Sequence, residues 1–139
     1  MNLTAEETVR TYYDSLGLGR RQVLMEVLDP EVVLELQEGF PETRSKYVGI
    51  KAYLEDFLYS LYGCFELQFF PEEFLESGER VVVLGRHKGK AVRTGVPVDA
   101  PFVHLWTVRD GHLVHGRMFT DTAILREAMA GHPAPLHSP

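Results

Sequence analysis

The sequence has a single cysteine, no long apolar run and no surplus of positive charge. Cys64 alone cannot form an intramolecular disulfide or a cysteine metal cluster, and beside Phe65 it reads as a small buried hydrophobe. No apolar stretch approaches the ~18 residues that a membrane helix needs, so no span is expected. Twenty acidic against fourteen basic residues give a formal charge of −6. With no stripe of Lys and Arg to offset it, that balance argues against a nucleic-acid partner. Zinc-finger spacings and the aromatic pattern of RNA-binding sheets are also missing. The six histidines lack the paired spacing of a helical zinc motif, and no phosphate-cradling glycine motif precedes a helix; GLG at 17–19 is a helix end. Neither a metal nor a nucleotide cofactor is therefore expected. The opening MNLTAEETVR carries no basic-then-apolar signal, which makes cytoplasmic residence the expectation.

What is present is ordinary globular material: 139 residues, 45% hydrophobic and 24% charged. That length suits one domain able to bury about two-thirds of its potential surface. Thr4-Ala5-Glu6-Glu7 is a capping box, and Val9, Tyr12, Tyr13 and Leu16 follow at helical spacing. A second short helix carries Val23, Leu24, Val27 and Leu28, and Asp29-Pro30 breaks it. Residues 32–37 read as a strand and 38–47 as a loop at the lip of a pocket. Behind Gly49, Ile50, Tyr53, Leu54, Phe57, Leu58 and Leu61 repeat at three and four, with Gly63 as the stop. From Cys64 onward alternation replaces helical spacing. Strands are predicted at 64–70, at 80–87 with a turn at Lys88-Gly89-Lys90, and returning at 91–96. Two more, 102–108 and 113–119, flank Asp110-Gly111, a dipeptide that tolerates the positive φ of a tight hairpin turn. A last helix spans 122–130, capped by Asp121 or Thr120. Domain 1–130 then gives way to a frayed tail at 131–139, with three prolines in nine residues.

This order, helices early and a strand meander late, is α+β rather than βαβ. With the closing run APFVHLWTVRDGHLVHGRMFTDTAILREAM, and with VVLELQEG, YVGIKAYLEDFLYSL and VVVLGRHKGKAVRTGVPVDAPFVHLWTV before it, the chain resembles the SnoaL-like polyketide cyclase branch of the nuclear transport factor 2-like superfamily. Ketosteroid isomerases and limonene epoxide hydrolases resemble it in the same way. The resemblance covers roughly residues 4–130. It implies a cone: helices packed on a curved, mostly antiparallel sheet, with a cavity between them and homodimers through the sheet's outer, convex face.

The resemblance also implies where the chemistry sits. Family members carry acid-base groups on the concave side, at positions that look like Tyr12, Glu35, Val103 and Met118. Val and Met cannot move a proton or hold an oxyanion, so neither the isomerase nor the hydrolase mechanism carries over whole. Glu35, between Leu34 and Leu36, is the surviving candidate base, and Tyr12 the group that orients a substrate oxygen. Tyr53, Phe57, Val103, Leu105 and Met118 are expected to wall the pocket. A straight two-residue hairpin pairs Trp106 with His115, His104 with Arg117 and Phe102 with Phe119. The resemblance puts that set on the convex face, with Phe102, Trp106 and Phe119 as the dimer's apolar surface; the competing catalytic reading has His104 as base and Arg117 as anion clamp, and a register shifted by one residue exchanges the two faces. His87, Lys88, Lys90 and Arg93 read as a solvated hairpin edge, and Asp121 as a helix cap.

The functional expectation is a cofactor-independent isomerase- or cyclase-like enzyme that abstracts a proton from an apolar carbonyl compound. The competing readings are a non-catalytic ligand-binding or accessory protein of the same fold, favoured by the missing carboxylates, and an epoxide hydrolase-like enzyme, which ranks behind it.

Overall fold

The computed structural model describes residues 3–133. The capping box forms: the Thr4 hydroxyl accepts from the Glu7 amide at 3.1 Å, and the Thr4 amide donates to the Glu7 carboxylate at 2.9 Å. It opens α1 (Ala5–Gly17), whose Val9, Tyr12 and Tyr13 are buried. After α2 (Arg21–Val27) the chain enters β1 (Leu28–Leu36) directly. The expected loop contains a short strand, β2 (Lys46–Val48), which pairs with β1. The third helix is π-helical over Ala52–Phe57, with the Leu58 amide bonded five residues back to the Tyr53 carbonyl, and continues as α3 (Leu58–Cys64). Then come β3 (Phe65–Ser77), β4 (Arg80–Ala91), β5 (Pro97–Arg109), β6 (His112–Thr120) and α4 (Thr122–Met129). The frayed tail expected at 131–139 falls mainly on residues 134–139, outside those described. Among the described residues, no helix is long and apolar enough to cross a membrane.

The sheet order is β2-β1-β6-β5-β4-β3, antiparallel throughout except for the β1–β6 pair. The fold is α+β, with α1 lying across β3, β4, β5 and β6 and α4 against β4 and β5. The strands run longer than local pattern suggests. Lys88-Gly89-Lys90 lies inside β4, and the turn falls instead at 92–96, where Gly95 at φ 74° makes the reversal. Gly89 serves a different need, because a Cβ there would run into the Glu66 backbone of β3. The prolines sit where a missing donor is harmless. Pro71 marks a bulge on the edge strand β3. Pro101 lies beyond the end of β6, where its carbonyl accepts from the Thr120 hydroxyl at 2.8 Å.

The β5–β6 hairpin decides which side chains face inward. Asp110 and Gly111 take φ 52° and 76°, as the dipeptide suggests. Val108 pairs with Leu113, but Thr107 pairs with His115, so Val114 has no partner and forms a bulge. One extra residue on one strand exchanges faces for every residue beyond it. His104 therefore stands opposite Met118 and Trp106 opposite Gly116. Any Cβ at position 116 would collide with the Trp106 ring.

Candidate active site

The bulge corrects the face assignment of β5. Phe102, His104 and Trp106 are buried under α1 on the concave face, while Val103 is 38% exposed on the convex one. Leu105 shares the parity of Val103 and stands opposite Arg117. The expected pocket walls Val103 and Leu105 thus point away from the interior. Met118, on the far side of the bulge, keeps its predicted inward direction and is buried.

At the centre lie Tyr13, His104 and Trp106. The Trp106 indole N–H can only donate, and it does so to the Tyr13 oxygen at 3.0 Å. The Tyr13 hydroxyl is 2.5 Å from His104 Nδ1. With its oxygen already accepting, Tyr13 donates its own proton to Nδ1, which leaves the proton of a neutral imidazole on His104 Nε2. Burial sets the charge state. It holds His104 well below the usual histidine range, reinforced by the nearby His87, and raises the Tyr13 phenol despite the Trp106 bond. Phe102 stacks on the imidazole at 4.1 Å between ring centroids.

Tyr12, the neighbour of Tyr13 on α1, reaches the Tyr53 hydroxyl with its own and packs its ring against Trp106 at 4.8 Å. Tyr53 comes from the π-helical turn, as does the buried Phe57. Such turns concentrate at functional sites because they aim side chains that a regular helix would not. Outside this pair a groove of about 700 Å³ runs between the end of α1, α2 and α3. Its lining includes the apolar and aromatic Leu16, Leu24, Leu54, Leu58 and Tyr62, and the Arg21–Glu55 ion pair at 3.8 Å. Burial first, and the Tyr62 phenol second, raise the Tyr53 phenol well above its ordinary value.

His87 also needs correction. It is 2% exposed, not part of a solvated edge, because β4 continues past it and its parity is that of Val81 and Val83. Its Nε2 lies 2.8 Å from the Thr120 hydroxyl. Burial lowers its pKa to about 4, with a smaller push from Arg86.

Glu35 sits apart from all of these. On β1 the buried parity is Val32, Leu34 and Leu36, so Glu35 faces outward, its side chain 43% exposed. It accepts from His115 Nε2 at 2.6 Å. That bond, with the charges of His115, Lys46 and Arg117, holds its carboxyl below the usual range. The structure thus joins Tyr12, Tyr53 and Phe57 from the sequence-predicted set, buries Met118 opposite His104, and leaves Glu35, Val103 and Leu105 on the other face. Arg117 lies outside, over the Phe119 ring at 5.3 Å, and Asp121 caps α4 by accepting from the Ile124 amide at 3.3 Å. Among the described residues, no three metal-ligating side chains converge.

Sequence and structure comparisons agree with this architecture. The pattern of the SnoaL-like domain matches residues 9–116. A protein from Jannaschia sp. CCS1, described as a SnoaL-like polyketide cyclase, superposes with a TM-score of 0.80 at 27% identity, covering 93% of each chain. An NTF2-like protein of unknown function from Burkholderia pseudomallei K96243 gives 0.81 at 26% identity, over 91% of this chain and 98% of its own. TerC, co-crystallised with polyporic acid, gives 0.80 at 25% identity over the same shares. No protein of curated function matches the sequence. The family pattern spans α1 through β6, and the chain belongs to the SnoaL-like domain family.

Proposed function

We propose that the chain is a cofactor-independent enzyme that moves a proton on an apolar carbonyl compound, in the manner of an isomerase or cyclase, within the cone. The observation that carries this reading is the Tyr13–His104 pair. Because Nδ1 is engaged by Tyr13, His104 presents Nε2–H as its free face, and this nitrogen has no partner among the described residues. A ketone oxygen accepting from that N–H gains negative charge as its α-proton leaves, and a fixed donor in a dry site stabilises that charge. Neutrality suits the task, since burial and Tyr13 prevent the ring from trading its proton with solvent. Tyr12, Tyr53, Phe57 and Met118 are the proposed wall of the site, and the groove beside α2 is its proposed way in. The polyketide cyclase description of the Jannaschia relative, and the co-crystallisation of TerC with polyporic acid, support a small organic ligand for this chain.

The test is exchange of the α-protons of 2-tetralone in D₂O, followed by NMR. The wild-type chain is expected to accelerate exchange above buffer, and Tyr13→Phe, which releases His104 from its fixed tautomer, to lose most of that acceleration. A wild-type rate equal to buffer overturns the reading.

One observation favours a second reading, a ligand-binding protein of the same fold. His104 is 3% exposed, and Tyr12 and Tyr53 are buried with their hydroxyls in contact. Tight binding of 2-tetralone without exchange supports it.

We also propose a homodimer through the convex face. Phe102 and Trp106 no longer support it, since both are interior. Its apolar residues are Val103 and Phe119, each more than a third exposed.

A further inference from the structure

The His87 ring is tied down on one side only. The Thr120 hydroxyl has one proton, and the Pro101 carbonyl, which can only accept, lies 2.8 Å from it. With that proton committed, the Thr120 oxygen accepts from His87, which places the imidazole proton on Nε2. Nδ1 is then a bare lone pair. It is buried and has no hydrogen-bond partner among the described residues. A buried acceptor left unmade is costly, and an apolar side chain would fill the same space without that cost. An imidazole there calls for a partner that arrives from outside.

His87 shares its surroundings with the site described above. Phe69 lies 5.6 Å from its ring and 6.0 Å from that of His104. Phe102 lies 5.8 Å from one and 4.1 Å from the other. The concave face therefore carries two neutral imidazoles of opposite polarity around the same two aromatic rings. One presents an N–H, the other a bare nitrogen.

We propose that His87 Nδ1 is the proton acceptor of the interior site, taking the acidic C–H proton of a ketone whose oxygen is held by His104 Nε2–H. This rests on the reaction proposed above. The C–H bond breaks, its electron pair becomes the enolate, and the proton passes to Nδ1, where it exchanges with solvent before one returns to the same or a conjugated carbon. No oxidant, reductant or second substrate enters the balance. The imidazolium formed keeps its Nε2–H bond to Thr120, so the ring need not turn between the two steps. Burial makes His87 a weak base, which is why the scheme depends on His104 to acidify the ketone.

His87→Gln is the discriminating variant. Its side-chain amide reaches Thr120 as Nε2 does, but nothing replaces Nδ1. Exchange of 2-tetralone should fall ~10²-fold or more, with folding, read by circular dichroism, intact. A second measurement is independent of turnover and of the variant. Nitrogen-15 spectra of the wild-type imidazoles should show His87 protonated at Nε2 and bare at Nδ1, with the Nδ1 resonance moving on addition of 2-naphthol, a hydrogen-bond donor, but not of 2-methoxynaphthalene. Wild-type exchange that His87→Gln leaves unchanged overturns this role and spares the reaction. Absence of exchange in the wild type overturns both. A proton found on Nδ1, or equal responses to the two naphthalenes, overturns the acceptor directly.

Discussion

Each face of the sheet holds a histidine bonded to the oxygen of an acidic side chain, and the two pairs behave oppositely. Inside, His104 meets the Tyr13 phenol under α1, both groups lose their access to water, and burial drives both toward their neutral forms. Outside, His115 meets Glu35 on a half-exposed surface flanked by Lys46 and Arg117, and the carboxyl is held in its charged form. Residue chemistry alone would favour the outer pair, since a carboxylate is the more familiar base. Burial reverses the preference. A carboxylate hydrogen-bonded to His115 and flanked by Lys46 and Arg117 is a poor proton acceptor, whereas a dry imidazole with one nitrogen engaged is a directed donor.

The comparison can be broken most strongly at Trp106. It is fully buried, fills the space above Gly116 and donates the bond that orients Tyr13. Trp106→Ala should destabilise the fold by about 3–5 kcal/mol, measured by urea denaturation. No single substitution on the convex face is expected to approach that loss.

Acid separates the two faces next. His87 in the folded chain titrates near 4 instead of the ordinary 6.5, and His104 is lowered as well. Above pH 6.5 both are neutral, folded or unfolded. Below it the unfolded chain binds protons that the folded chain refuses, so stability falls as pH drops from 6.5 towards 4. The His87 share amounts to at most about 3 kcal/mol, and His87→Gln should flatten the curve in that window. The Glu35 carboxyl is also lowered, from an ordinary value of 4.5, so its contribution has the same sign but a more acidic window: it is present above 4.5 and fades as pH falls below it. Denaturation curves between pH 7 and pH 3 should therefore show the inner face failing first.

How much of this was legible in the sequence depends on how local the cause is. The capping box, the Asp110-Gly111 turn, the Asp121 cap and the three N-terminal helical segments all follow from residues close together in the chain, and all are present. The facing of β5 is different. A straight register from the turn links Trp106 to His115, and only the Val114 bulge, which no neighbouring residue announces, exchanges the faces. One signal was available. Asp99 and Arg109 share the parity of Val103 and Leu105, so charge at both ends of the strand marks that side as the outer one. The same parity argument along Val81, Val83 and His87 brings His87 inside, once β4 is allowed to run through Gly89. Glu35 was misplaced by one residue of alternation: with Leu34 and Leu36 both inward, a side chain between them faces out. The hydrogen-bond polarity of the two histidines was not legible at all, because it is dictated by Trp106 and Pro101 through contacts distant in sequence.

The smallest expected effect concerns assembly. Phe119→Lys should shift light scattering from dimer towards monomer while leaving the interior and its exchange activity unaltered. A wild-type monomer at micromolar concentration would remove the convex face from the account and leave the concave one untouched.

The central claim is that the reacting group lies inside, at His104, and not outside, at Glu35. Side-by-side exchange of 2-tetralone by His104→Asn and Glu35→Gln tests it most directly. Asn can still accept from Tyr13 through Oδ1 at the place of Nδ1, but its carboxamide N–H groups stop short of the place of Nε2, whereas Gln at 35 removes the outer carboxylate and keeps its size. The account predicts a ~10²-fold or greater loss for His104→Asn and a rate within about twofold of wild type for Glu35→Gln. The reverse pattern, full activity with Asn at 104 and a collapse with Gln at 35, would contradict it.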